Sequence, residues 1–199
     1  IASDLATKTY VGEIRQKMSI SRQKKPDVKA MMVQACHIAN HMIYGYSCFD
    51  TDYTGMGTTM VSAVALGDEV YVLNVGDSRA YRITKRKLVQ ITRDHSLVQD
   101  MVDRGEITPE QARTHPRRNL ITRALGVDEN VPCDIFKPRL SRGDMLLLCS
   151  DGLTNMLEDR EIFELSKHNP DPLSLGRALM DEALERGATD NVTVVIISK

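Results

Sequence analysis

Three aspartates stand where apolar runs stop. Asp151 follows "MLLLCS" and precedes Gly152, Asp190 stands just before "NVTVVIIS", and Asp77 sits in "NVGDSRAY", where "EVYVLNV" runs out. If those runs are core strands, three carboxylates cap them at a rim where neighbouring elements leave a cleft. Like charges within ~4–6 Å disfavour one another's ionised forms, so such a cluster is costly without a cation. Oxygen ligands with no histidine or cysteine beside them suit magnesium or manganese rather than zinc. Gly76 and Gly152 allow tight turns, through which backbone carbonyls or waters join a coordination shell. Two such ions ~3.5–4 Å apart lower the pKa of a bridging water and clamp phosphoryl oxygens. That is metal-assisted hydrolysis of a phosphate ester, and it needs no side-chain nucleophile. The sequence agrees in what it lacks, having neither a GxSxG elbow nor a P-loop glycine–lysine pattern. The plainer alternative, that each aspartate is an ordinary turn or cap residue, stays open on this pattern alone.

The elements that must position these residues follow from periodicity. From the N-terminus to Met18 the spacing of Leu5, Val11, Ile14 and Met18 predicts a helix. After the polar "SRQKKPD" break a second helix runs from Val28 to about Tyr46, with Met31, Ala35, Ile38 and Met42 as its apolar stripe. From Thr58 the period becomes that of strands: "TTMVSAVAL", a Gly67-Asp68 turn, "EVYVLNV", "RAYRIT" and "KLVQI", expected as one antiparallel meander. Residues 96–118 turn polar and helical, an excursion from the core with a cap at Thr108 ahead of Pro109. Strands resume at "CDIF" and "MLLLCS", two helices follow, and "NVTVVIIS" closes the chain. Hairpin-linked strands with paired helices predict an α+β fold of stacked antiparallel sheets with helices outside, a single domain over residues 1–199. The runs "MLLLCS" and "VTVVIIS" are continuous enough to be expected covered on both faces.

Composition removes other classes. The chain has 199 residues, 26 basic and 27 acidic, for a net charge of −1, so no polyanion-binding surface and no nucleic-acid partner are expected. No apolar segment reaches the ~18–20 residues that span a bilayer. Cys36, Cys48, Cys133 and Cys149 show no CxxC spacing and read as reduced thiols, which suits the cytoplasm. His37 and His41 have the i, i+4 spacing of a zinc site but lack its glutamate, so they read as helix-face residues, and the methionine stripes read as core.

Six passages carry more than spacing. "GMGTT" (Gly55 to Thr59), "VGDSRAY" (Val75 to Tyr81), "RDHSLV" (Arg93 to Val98), "LITRALG" (Leu120 to Gly126), "GDMLLLCSDGLT" (Gly143 to Thr154) and "TDNVTVV" (Thr189 to Val195) occur in this order. In order and rough spacing the chain resembles the metal-dependent protein serine/threonine phosphatases of type 2C, in their bacterial form. The resemblance implies a β-sandwich of two antiparallel sheets flanked by pairs of helices, in α-β-β-α layers. It implies two catalytic Mg2+ or Mn2+ ions that activate a water against phosphoserine or phosphothreonine, with Asp151 and Asp190 as catalytic metal ligands. Asp77, together with Asp151, matches a third, weaker metal position, and Asn155 stands where some relatives have another acidic ligand. Residues 96–118 match the family's flap, and His115 a flap position that contacts substrate. Arg79 is expected to orient Asp77 or brace the sheet, and Arg123 to be structural. The implied partners are phosphorylated proteins and a cognate serine/threonine kinase.

The family's phosphate-binding arginine, first acidic motif and "DGMGG" passage do not occur in this sequence. The chain is therefore expected to be N-terminally incomplete, lacking two core strands, and incapable of full two-metal catalysis alone. Two alternatives stand beside an active complete enzyme: a short form acting as a phosphoprotein-binding or regulatory module, and a small-molecule phosphoesterase.

Overall fold

The strand period from Thr58 onward is realised, but divided between two sheets rather than drawn out as one meander. A computed structural model describes residues 1–20, 26–49, 51–188 and 190–199. Residues 21–25 of the polar break, Asp50, and Thr189 of the last motif lie outside the described residues. Strand β1 (Met60–Leu66) pairs with β2 (Glu69–Val75), and Leu66 lies opposite Glu69, so Gly67-Asp68 is the two-residue turn, with Gly67 at φ 59°. The other edge of β2 pairs with β5 (Asp134–Phe136), giving the order β1-β2-β5.

After β2 the chain leaves that sheet. Strand β3 (Arg79–Ile83) pairs with β4 (Leu88–Gln90) and β6 (Met145–Cys149), and β6 pairs with β7 (Val194–Ser198), in the order β4-β3-β6-β7. Every pairing is antiparallel. The crossing between sheets is made at Gly76-Asp77-Ser78, where Gly76 takes φ 105°. The expected meander is thus broken at the aspartate singled out for chemistry.

Alternation along the strands builds the layers. Leu146 and Leu148 of β6 pack with Val70, Val72 and Ala80 between the sheets, while Met145, Leu147 and Cys149 pack with Ile162, Leu175 and Leu179. The latter come from α6 (Asp159–His168) and α7 (Pro172–Glu185), which cover the second sheet. Helices α1 (Ala2–Ile20) and α2 (Val28–Phe49) cover the first, against Leu73 and Val75 of β2. The α-β-β-α order expected from the resemblance is present. Burial of each such leucine or isoleucine contributes about 1.5–3 kcal/mol.

Three expectations about faces need correction. In α2 the buried stripe is Val28, Met32, Ala35, Cys36, Ala39 and Ile43, whereas Ile38 and Met42 of the expected stripe are exposed. In α1 the buried positions are Ala2, Ala6 and Tyr10, with Leu5 and Ile14 beside them and Val11 exposed. Small residues at these positions let the paired helices and the sheet approach closely, so they face inward despite their modest hydrophobicity. Strand β7 is not covered on both faces: Val195 is 47% and Ile197 38% exposed. By register these two share the inter-sheet face with Leu148 and Leu146. Strand β7 is the end strand of its sheet, and β1, the outermost strand of the facing sheet, contacts β6. No described strand therefore lies opposite β7.

Candidate metal centre

Strand β6 ends at Cys149, and α5 (Asp151–Thr154) begins two residues later with Ser150 at its N-cap. Ser150 does not cap the helix with its side chain. Its Oγ donates to the carbonyl of Asn191 (3.0 Å) and accepts the amide of Thr193 (3.0 Å), while its own amide donates to Thr193 O (3.1 Å). These bonds lash the segment carrying Asp190 to the start of α5. Gly152 makes the approach possible, since a Cβ there would lie 2.5 Å from Asn191 O and 3.0 Å from Asn191 C. The reason for a glycine is close passage of two backbones, and its effect is to bring Asp151 and Asp190 together.

The electrostatics record that meeting. Burial, and next the charge of Asp190, push the Asp151 carboxyl above the ordinary aspartate range, while Asn155 Nδ2 donates to its Oδ2 at 3.1 Å. Burial, and next the charge of Asp151, push Asp77 up to about 6. Asp190 is exposed, and its Oδ1 accepts the amide of Asn191 at 2.6 Å. Asp151 is thus the middle of a chain of three repelling carboxylates. Among the described residues, no three aspartate, glutamate, histidine or cysteine side chains converge closely enough to hold an ion between them. The donor chemistry suits a hard dication, because all three groups offer oxygen and their mutual repulsion is what a cation relieves. The described side chains supply part of a coordination shell rather than a closed one.

The turn bearing Asp77 is held from several sides. A Cβ at Gly76 would lie 2.4 Å from Thr59 Cγ2, and Thr59 Oγ1 is 2.9 Å from Ser78 Oγ, so the "GMGTT" passage underlies the crossing. The buried Asn74 donates from Nδ2 to Gly76 O (3.1 Å) and Arg93 O (3.2 Å). Arg79 grips Asp94, with Nε 2.9 Å and Nη2 2.7 Å from Oδ2, and donates from Nη1 to Tyr81 Oη (3.0 Å), which donates to Asp159. Arg79 therefore braces the sheet, and the carboxylate it orients is Asp94 rather than Asp77. Arg123 is structural as expected, 3.1 Å from Asp134. Ser150, Asn74, Asp94 and His95 carry weight that sequence reasoning missed. The sole available signal was that polar residues interrupt otherwise apolar passages.

The excursion over residues 96–118 carries two short helices. Its base is closed by the Ser96–Ile121 bridge, α3 (Leu97–Asp103) is capped by Ser96, and α4 (Pro109–Thr114) carries the expected cap at Thr108 as a full capping box with Gln111. Arg113 of α4 lies 3.8 Å from Glu158, three residues beyond Asn155, which sets the flap beside the rim. His115 is half-buried at the end of α4, where its Nδ1 accepts the amide of Arg117 (3.1 Å) and closes the turn. His37 and His41 lie off the buried stripe of α2, and Asn40 between them is the buried polar residue, binding Asp128 O, Glu129 O and Gly126 N. Cys133 and Arg139 have the Cys-x5-Arg spacing of a phosphate loop, but β5 runs extended between them and Cys133 packs against the helical core.

Comparison with known proteins adds identity to geometry. A family model described as "Protein phosphatase 2C" matches residues 1–185. The "Serine/threonine phosphatase stp" of Listeria monocytogenes is 38% identical over 173 residues, covering 87% of this chain and 69% of that protein. The crystal structure of serine/threonine phosphatase Stp1 from Staphylococcus aureus superposes with a TM-score of 0.89 at 38% identity, covering 98% of this chain and 77% of that one. The catalytic domain of PstP, described in complex with two manganese ions, superposes at 0.81 with 32% identity, covering 97% of this chain and 80% of that one.

Proposed function

Because the chain belongs to the protein phosphatase 2C family, we propose that the protein removes phosphate from phosphoserine and phosphothreonine in other proteins by metal-dependent hydrolysis. One observation carries this reading: Ser150 and the bare Gly152 backbone hold the segment carrying Asp190 against the start of α5, which brings Asp190 to Asp151. In this reading Asp151 and Asp190 hold the catalytic cations, Gly152 and Ser150 set the two turns against each other, and Asp77 shares a third, weaker position with Asp151. Divalent ions bound there supply positive charge and an activated water for attack at phosphorus. His115 contacts the substrate from the flap, a role supported by the Arg113–Glu158 tie that keeps α4 at the rim. Manganese or magnesium is the ion, and the description of one relative as a two-manganese complex favours the former.

Phosphorylated proteins are the substrates, and a cognate serine/threonine kinase acting on the same targets is the expected counterpart. The cytoplasm is the proposed compartment, supported by four free thiols. No helix among the described residues is long and apolar enough to cross a membrane. The half-exposed inner face of β7 supports two further core strands completing the sandwich in the complete protein.

The test uses the protein encoded by the reading frame that contains this chain. Phosphate release from a phosphothreonine peptide should require Mn2+ or Mg2+, stop with a chelator, and exceed release from a phosphosugar. Preference for the phosphosugar would favour the small-molecule reading. Tight phosphopeptide binding with no release in manganese would favour the binding module.

A further inference from the structure

Four consecutive residues of the "RDHSLV" passage join the flap to the turn that carries Asp77. Arg93 and Ser96 face the flap: Arg93 Nη2 lies 2.7 Å from Asp100 of α3 and also pairs with Asp103, and Ser96 Oγ caps the same helix. Asp94 and His95 face the other way. Asp94 binds Arg79, two residues after Asp77, and His95 binds Gly76, one residue before it. The turn is therefore clamped on both flanks by adjacent residues.

The histidine half of the clamp is specific. His95 is fully buried, its Nδ1 lies 3.0 Å from Gly76 N, and its own amide donates to Gly76 O at 3.0 Å. Only an unprotonated Nδ1 accepts the Gly76 amide, so the ring proton sits on Nε2, which donates to Asp134 Oδ2 at 3.1 Å. Burial favours this neutral ring. Asp134 is in turn held by Arg123 at 3.1 Å. Strand β5 thus fixes the ring, and the ring fixes the crossing between the sheets.

We propose that His95 is a positioning residue for the Asp77 carboxylate, acting through the Gly76 amide and relaying the placement of Asp134 and the flap base to the rim. The proposal rests on the reading of Asp77 as a metal ligand, and its test separates the two. The side chain of Asn places an acceptor oxygen where Nδ1 stands, whereas that of Gln places an amide donor where Nε2 stands. His95→Asn keeps the bond to Gly76 and loses the one to Asp134, and His95→Gln does the reverse.

Two measurements are made on each variant, beside wild type and Asp77→Asn, after thermal melting confirms folding. Exchange of the Gly76 amide reads the clamp directly: protection should survive in His95→Asn and be lost in His95→Gln. Electron paramagnetic resonance of free Mn2+ reads the consequence: the weakest bound manganese should lose about tenfold in affinity in His95→Gln, the upper scale of one neutral hydrogen bond, and under about threefold in His95→Asn. Equal Gly76 exchange in wild type and His95→Gln overturns the positioning role. Unchanged manganese binding in Asp77→Asn overturns the ligand assignment instead, and leaves the clamp to be judged by exchange alone.

Discussion

At the scale of single residues, charge beside an apolar run was the legible signal. Asp77, Asp151 and Asp190 stand out in the sequence because each flanks a strand-like passage, and all three lie at one rim in the fold. Asp151→Ala or Asp190→Ala, in the protein encoded by the reading frame that contains this chain, should abolish metal-dependent phosphate release while leaving the fold intact, and thermal melting beside a phosphopeptide assay checks both. Asp77 gives a pH signature. Its folded-state carboxyl is raised from 3.8 to about 6, so the folded state holds the proton more tightly than the unfolded chain does. Its contribution to stability is therefore present below about pH 4 and lost as pH climbs through about 6. In chelator, the melting temperature should carry a component that falls between about pH 4 and about 6, absent in Asp77→Asn and offset by Mn2+. The residues that hold the aspartates were not legible, because each has its partner far away along the chain. Ser150 meets Asn191, and His95 meets Gly76.

At the scale of elements, strands and turns read more truly than helix faces. The β1–β2 hairpin, its register and the Gly67-Asp68 turn follow from period and turn chemistry, since alternation admits only two faces and a one-residue slip inverts both. In α2 the apolar residues surround the helix, with Met31, Ile38 and Met42 competing against Met32, Cys36 and Ile43, and the buried Asn40 lies on the true stripe. Periodicity cannot choose between stripes of similar weight, so packing of small residues decides. The break between β2 and β3 was hidden for another reason: Gly76-Asp77-Ser78 is as short as a hairpin turn but joins different sheets. Gly152→Ala tests the element that unites Asp151 with Asp190. The added methyl meets the Asn191 carbonyl, so the chain should lose about 1–3 kcal/mol in denaturant unfolding and bind Mn2+ more weakly. Thr108→Ala removes an exposed cap from the flap and should cost about 1 kcal/mol or less, read in faster amide exchange of α4.

At the scale of the whole molecule, two sheets stacked between helix pairs put three strand ends at a common rim, and the sequence order of strands and helices foretold the layers. Two missing core strands were expected as well, but not that the opening falls along β7, a strand expected to be covered on both faces, where apolar side chains of the inner face remain partly exposed. Leu147→Ala, in the closed part of the core, should cost about 2–5 kcal/mol, and Ile197→Ala less than half as much, compared by chemical denaturation. The charge cluster at the rim is the feature that fold stability alone does not require, and the account rests on divalent cations occupying it. The most direct test is anomalous diffraction at the manganese absorption edge from crystals, grown in Mn2+, of the protein encoded by the reading frame that contains this chain. The account predicts peaks within bonding distance of both the Asp151 and Asp190 carboxylates. Density showing these two carboxylates apart, with no anomalous peak beside either, would contradict it.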